Sequence, residues 1–317
     1  MADSFVTLAD LVKLNDMNLA DIEVSDLLQG APFLAALAAG PASNGTNHSY
    51  LKETGAPVVG FRAPNSGRFN STDTDTKVEI ALQILDGSFS CDKALADAYK
   101  KGGAPTYLAR RGRRSLKACF AGAEQQIFYG TGNDSDGFIG LSEAETVNSI
   151  ANTDHVVDAG GTTVNGATSV WLVRSSDDDT GVSVIMGEDG QIQIGDSVII
   201  KELDANGKSY PAYYTPIMGW IGLQVGSAFD VVRIANITQQ SGHTLNDDLL
   251  SQALELFPSD KQPTHIVMHR KACGQLQRSR TAVNSTGAQA PRPTEYEGIP
   301  IITTDQIKKF TEPLLAA

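Results

Sequence analysis

The stretch from Pro105 to Leu141 constrains this chain more than any other. Leu108, Gly112, Leu116, Cys119, Phe120, Ala123, Ile127 and Phe128 recur at three- and four-residue spacing, which draws one apolar stripe down a helix. Pro105 suits the first turn, where its missing N–H is no loss. Gly130 supplies the stop, because a residue without Cβ adopts the left-handed conformation that ends many helices. About 25 residues at about 1.5 Å each give a rod of roughly 38 Å. Gly132, Asn133, Asp134, Asp136 and Gly137 then turn the chain into Phe138-Ile139-Gly140-Leu141. A rod of that length is a scaffold strut, and the remaining elements have to pack around it.

What precedes the rod is polar and irregular. Residues 1–40 carry a weak helical period (Phe5, Leu8, Leu11, Val12, Leu14) and an alanine-rich patch at 31–40. Residues 50–76 contain Pro57, Pro64, several glycines and a Ser-Thr-Asp tract, a composition that cannot order itself by burial. Such a segment is ordered only when something holds it, and a neighbouring subunit is the simplest candidate. In 77–85, Val78, Ile80, Leu82 and Ile84 alternate with other residues, the signature of a strand. Paired with 50–61 it makes a long hairpin, which is marginal alone in water and needs a surface to lie on.

After the rod the apolar period changes from 3.6 to 2. Residues 170–173 and 182–186 are expected to pair around an acidic tip, Asp177 to Asp179. Segments 197–203 and 210–214 flank Asn206-Gly207, a strong hairpin signal. Two further strands are expected at 220–225 and 229–237. A helix at 245–257, a strand at 265–269, a helix from 271 to about 280 and a strand at 299–302 follow.

At 317 residues the chain has room for two domains, and 41% hydrophobic with 20% charged content is ordinary for packed proteins. No run approaches the roughly 18 apolar residues of a membrane span. The first residues lack the basic flank of a signal peptide, so synthesis in the cytoplasm is the expectation. Cys91, Cys119 and Cys273 are odd in number and far apart, as reduced thiols would be. The net charge of −12 is uneven. Residues 86–130 carry eight bases against four acids, whereas 131–210 carry fourteen acids against three bases. That asymmetry permits complementary contact between neighbouring copies and argues against a dedicated nucleic-acid binder.

The motifs that could carry chemistry are weak. Residues 132–143 place Asp134, Asp136, Gly137, Ile139 and Glu143 as in a calcium loop, but the first ligand position is Gly132. His265 and His269 are four apart in an expected strand, roughly 13 Å, too far to share a zinc. Gly207-Lys208-Ser209 ends like a phosphate loop without the upstream glycine. No catalytic, cofactor-binding or metal site is assigned, and the chain is not expected to be an enzyme. The strongest charge feature is Arg110, Arg111, Arg113 and Arg114, suited to an acidic neighbour or to nucleic acid.

The order of segments resembles the major capsid proteins of tailed bacteriophages, which share the Hong Kong 97 fold. The resemblance runs from about residue 50 onward. It rests on the helix closing in Gln125-Gln-Ile-Phe-Tyr-Gly-Thr-Gly132, on Gly137-Phe-Ile-Gly-Leu141, on Thr168-Ser-Val-Trp-Leu-Val-Arg174, on Val231-Val-Arg-Ile-Ala-Asn-Ile237 and on Gly298-Ile-Pro-Ile-Ile-Thr-Thr-Asp305. It implies an α+β chain with an N-terminal arm (1–49), an extended loop (50–90), a peripheral domain (91–239) with a spine helix at 105–130 and a β-rich insertion, a mixed α/β axial domain (240–305) and a tail (306–317). It further implies a homo-oligomer of pentamers and hexamers in an icosahedral shell, enclosing double-stranded DNA by non-specific contact, with no membrane. A portal is expected as partner, with a decoration protein as an optional addition. The early start of the spine leaves no room for a cleaved scaffolding segment, so a separate scaffolding protein is expected. Val78, Ile80, Leu82, Ile84 and the four arginines are the expected subunit contacts. The alternatives are a nanocompartment shell around an enzyme cargo, and an enzyme with a site of distant acidic residues.

Overall fold

The apolar stripe becomes a single 27-residue helix, Gly103–Tyr129, in the computed structural model, which describes residues 7–8, 13–14, 27–55, 59–67, 74–176, 180–283 and 288–316. Gly112, Leu116, Phe120, Ala123, Ile127 and Phe128 of the stripe are buried, while Leu108 and Cys119 are half-buried. The helix starts at Gly103, two residues before Pro105, preceded by an N-cap Gly102 with φ of 97°. It ends at Gly130, whose φ of 51° and ψ of −133° no β-carbon would welcome.

Two mixed six-stranded sheets sandwich this helix. The first joins Lys13–Leu14, Gln191–Ile194, Ile217–Val225, Val182–Met186 and Ala38–Pro41, with Gln83–Asp86 also paired to Ile217–Val225. The second runs Glu295–Tyr296, Ile299–Thr304, His265–His269, Thr168–Val173, Val231–Ile237 and Val156–Asp158. Its central strands are apolar at nearly every position because both faces are covered. Trp171, Val173, Val231, Ala235 and Val267 face the long helix and the first sheet. Val170, Leu172, Val232, Ile234, Ile266 and Met268 face the opposite way, onto the helices Asp247–Glu255 and Arg270–Val283. The period of two thus splits one sheet between two cores. A third, three-stranded antiparallel sheet, Val198–Leu203, Ser209–Thr215 and Phe89–Asp92, stands at the N-terminal half of the long helix.

Several sequence expectations change. Residues 170–173 and 182–186 do not form a hairpin: they enter different sheets, leaving only a Ser175–Val182 bridge between them. The acidic tip at 177–179 lies outside the described residues. The strand at 77–85 is two strands, Thr74–Ala81 in the hairpin and Gln83–Asp86 in the first sheet. The arm assigned to 1–49 is in part core. Leu27, Leu28, Phe33, Leu34 and Leu37 are at most 3% exposed, and Ala38–Pro41 is a parallel strand beside Val182–Met186. Most of residues 1–26 lie outside the described residues. The boundary drawn at 239/240 cuts a single sheet, since Thr168–Val173 pairs directly with His265–His269.

Candidate subunit-contact surfaces

Asn47–Gly55 and Thr74–Ala81 form an antiparallel hairpin of their own, with Tyr50 opposite Val78. At about 3.4 Å per residue the longer strand projects roughly 27 Å. Hydrogen bonds close its base and tie it to the body. The Leu82 amide donates to the Thr46 carbonyl at 2.8 Å. His48 Nδ1 accepts from the Ser43 amide at 3.2 Å, so Nε2 carries the proton and donates to Gln224 Oε1 at 2.8 Å. The Tyr50 hydroxyl donates to the Val225 carbonyl at 3.3 Å, and burial pushes its pKa up. Beyond this base little covers the hairpin. Residues 59–67 are exposed throughout, with Val59 at 80% and Phe61 fully bare to solvent.

The four residues expected to form one uncovered apolar stripe divide here. Leu82 is 3% exposed and seats between Gly187 and Gly222, so its own subunit covers it, unlike the uncovered contact the sequence led us to expect. The reason is local: the chain leaves the hairpin at this residue and enters the first sheet. Val78 and Ile80 are half-buried, and Ile84 is 54% exposed. Sequence periodicity could not reveal the division, because it does not register where a strand changes partners.

Arg110, Arg111, Arg113 and Arg114 are all exposed. Arg110, Arg113 and Arg114 share a face with exposed Lys117, at spacings of three, four and seven. Arg111 turns aside, its guanidinium 5.5 Å from the Tyr107 ring and donating to the Tyr107 hydroxyl at 3.1 and 3.3 Å. Among the described residues none of these cations forms an ion pair. A further exposed surface went unnoticed in the sequence. Val198–Leu203 is an edge strand that shows Val198, Ile199 and Leu203 to solvent, an arrangement that invites pairing or cover.

Groups with chemical potential are spent on structure. Glu143 accepts from the Thr131 and Gly140 amides at 3.1 and 2.9 Å and from the Thr131 hydroxyl, which locks the turn after the long helix and lowers its pKa. Asp134 Oδ1 accepts from the Asp136 amide at 3.0 Å. His269 Nδ1 accepts from the Lys271 amide at 3.0 Å, and burial pulls both His265 and His269 below the ordinary range. Burial pushes the Cys119 thiol up to about 11, where it is inert. Among the described residues no three His, Cys, Asp or Glu side chains group as metal ligands, and no helix is long and apolar enough to cross a membrane.

A family model described as major capsid protein GP7 matches residues 16–314. The chain belongs to this family. The GP7-type capsid protein also shares its fold with a chain of the bacteriophage Epsilon15 cryo-EM structure, at a TM-score of 0.60 and 16% identity over 100% of this chain and 94% of that one. The bacteriophage JBD30 capsid aligns at a TM-score of 0.49, with 9% identity over 92% and 96%. The holo-SrpI encapsulin complex of Synechococcus elongatus aligns at 0.46, with 10% identity over 71% and 93%. No curated protein sequence matches it. As a major capsid protein of the Hong Kong 97 type, it is a structural component of the virion that self-assembles into the icosahedral phage shell.

Proposed function

We propose that shell closure depends on the projecting hairpin, which lies across a neighbouring copy and orders there. The observation that carries this reading is the hairpin itself: among the described residues its ties to the body lie near the base, and Val59 and Phe61, in the segment between its two strands, are exposed. A lone two-stranded ribbon is marginal in water, so a surface from a second copy supplies what the subunit lacks. Val78, Ile80 and Ile84 form the apolar part of that contact. Arg110, Arg113 and Arg114 set its register by meeting acidic surface, which fixes orientation and encounter more than raw affinity. Weak contacts repeated around each subunit then add through multivalency. The role is structural, without catalysis, and the enclosed polymer is double-stranded DNA.

The test is a deletion of residues 52–76 that spares Tyr50, Val78 and Leu82. The expected product is a folded, soluble subunit that forms no closed particles under negative stain. Intact shells from the deleted chain would overturn the docking role. Shells of the full chain that copurify with an enzyme cargo and no DNA would favour a nanocompartment.

A further inference from the structure

A cavity of about 570 Å³ opens beside the helix Arg270–Val283, lined by Gln239, Thr244, Arg270, Lys271, Gly274 and Arg278. Its floor at Gly274 has no side chain, and the Arg278 guanidinium reaches over it. Lys309, next to the lining residue Phe310, stands close enough to Lys271 for its like charge to hold Lys271 below the ordinary lysine range. Four cations thus converge, Arg270, Lys271, Arg278 and Lys309. Among the described residues, Asp305 is the carboxylate that pairs with this cluster, through Arg270. The first helical turn, where acidic residues are favoured, holds none. In a chain of net charge −12, so concentrated a cluster of cations runs against the overall charge.

We propose that this cavity is a phosphate-binding site that grips the backbone of the enclosed nucleic acid. Resting on the capsid reading for its source of phosphate, the inference adds that the Lys271 face looks into the shell. A tetrahedral phosphate offers oxygens to several donors at once, and the planar guanidinium of Arg278 matches it. The open floor at Gly274 lets the anion approach, while Gln239 and Thr244 supply neutral donors at the rim. Such contacts read no sequence and weaken with salt as counterions return.

The experiment measures binding of a fluorescent 20-base-pair duplex to the unassembled subunit across a salt series. K271E/R278E should weaken binding at least tenfold at low salt and flatten the salt slope by about two, one for each lost phosphate contact. The milder K271Q/R278Q, with native circular dichroism, should do the same in smaller measure, and K208E should change neither. Competition by inorganic tripolyphosphate supports the site. Tripolyphosphate binding without duplex binding keeps the phosphate chemistry and assigns it to a free polyphosphate. Equal duplex binding by wild type and both double variants overturns the proposal. So does weakened self-association with duplex binding unchanged, which would give the cavity to acidic surface of a second copy. Negative stain separates the two readings: shells that form normally from K271E/R278E leave the capsid role intact whatever the duplex does.

Discussion

Glu124 Oε2 accepts a hydrogen bond from the Phe33 amide at 2.9 Å, which ties the C-terminal part of the long helix to a segment 91 positions earlier. The same oxygen accepts from the Leu34 amide at 3.0 Å, and Oε1 accepts from the Thr304 hydroxyl. One fully buried carboxylate therefore joins the long helix, the short helix Pro32–Ala36 and the strand Ile299–Thr304. Helical glutamate ordinarily faces water, so its burial here marks a junction between three elements.

That junction makes stability pH-dependent. Burial outweighs the three hydrogen bonds and pushes Glu124 up to about 7 from 4.5. The folded chain then holds a proton that the unfolded chain has released, so the contribution is full below pH 4.5 and is lost as pH rises through about 7. The span corresponds to about 3 kcal/mol. His155, His265 and His269 have lowered values and act in the opposite sense, losing stability as pH falls. Glu124→Gln isolates the carboxylate, because its oxygen still accepts from the amides and its NH2 can donate to Thr304. Denaturant midpoints of the unassembled subunit should converge for wild type and Glu124→Gln near pH 4.5. Above pH 7 the variant should be the more stable.

A second buried charge fastens the last residue of the same helix, Tyr129. Glu312 Oε2 accepts from the Ser169 hydroxyl at 2.6 Å and from Arg233 at 3.3 Å, and Oε1 accepts from the Tyr129 hydroxyl. Arg233 lies 4.8 Å from the Trp171 ring and is 7% exposed at its side chain. Glu312→Ala leaves that guanidinium buried without its carboxylate, a loss of about 3–5 kcal/mol. Urea denaturation should show the drop in the isolated subunit. A shift under 1 kcal/mol would mean that water reaches Arg233 freely.

Gly130 is the point where the helix must stop. A β-carbon there would stand 1.7 Å from Glu143 Oε2 and 2.4 Å from the Gly140 nitrogen, at a φ of 51°. Gly130→Ala should destabilise by about 2 kcal/mol or more, through backbone strain and loss of the Glu143 contacts. A thermal melt of the subunit measures it. Gly132, with open space around its α-carbon, should tolerate alanine far better.

The helix stripe and the Asn206-Gly207 hairpin were legible because each is a local signal: a 3.6 period in one case, a turn dipeptide in the other. Val198–Leu203 and Ser209–Thr215 pair in register around that turn, with Lys201 opposite Pro211. The partition of Thr168–Val173 and Val182–Met186 into different sheets was not legible, because two adjacent apolar runs look alike whether they pair or part. Nor was the burial within residues 27–41, an alanine-rich patch whose Phe33 and Leu34 amides are received by the distant Glu124 carboxylate. The contact surfaces were legible as residue types and illegible as exposure. Arg110, Arg113 and Arg114 do face solvent, but Leu82 does not.

Leu82 and Ile84, two residues apart and alike in chemistry, should therefore fail in different assays. Leu82 fills the space left by two glycines: a β-carbon at Gly222 would meet its Cδ2 at 2.5 Å. Leu82→Ala opens a cavity inside the subunit and should cost about 2–4 kcal/mol of folding stability. Ile84, 54% exposed, should give less than about 0.5 kcal/mol on replacement by serine. The order reverses in assembly. On the proposed docking, Ile84→Ser removes apolar surface at the subunit contact, so it should slow particle formation, followed by light scattering, while its denaturation curve overlays the wild type. An Ile84→Ser subunit that assembles at the wild-type rate would remove Ile84 from the contact and leave docking to Val78, Ile80 and the loop bearing Phe61.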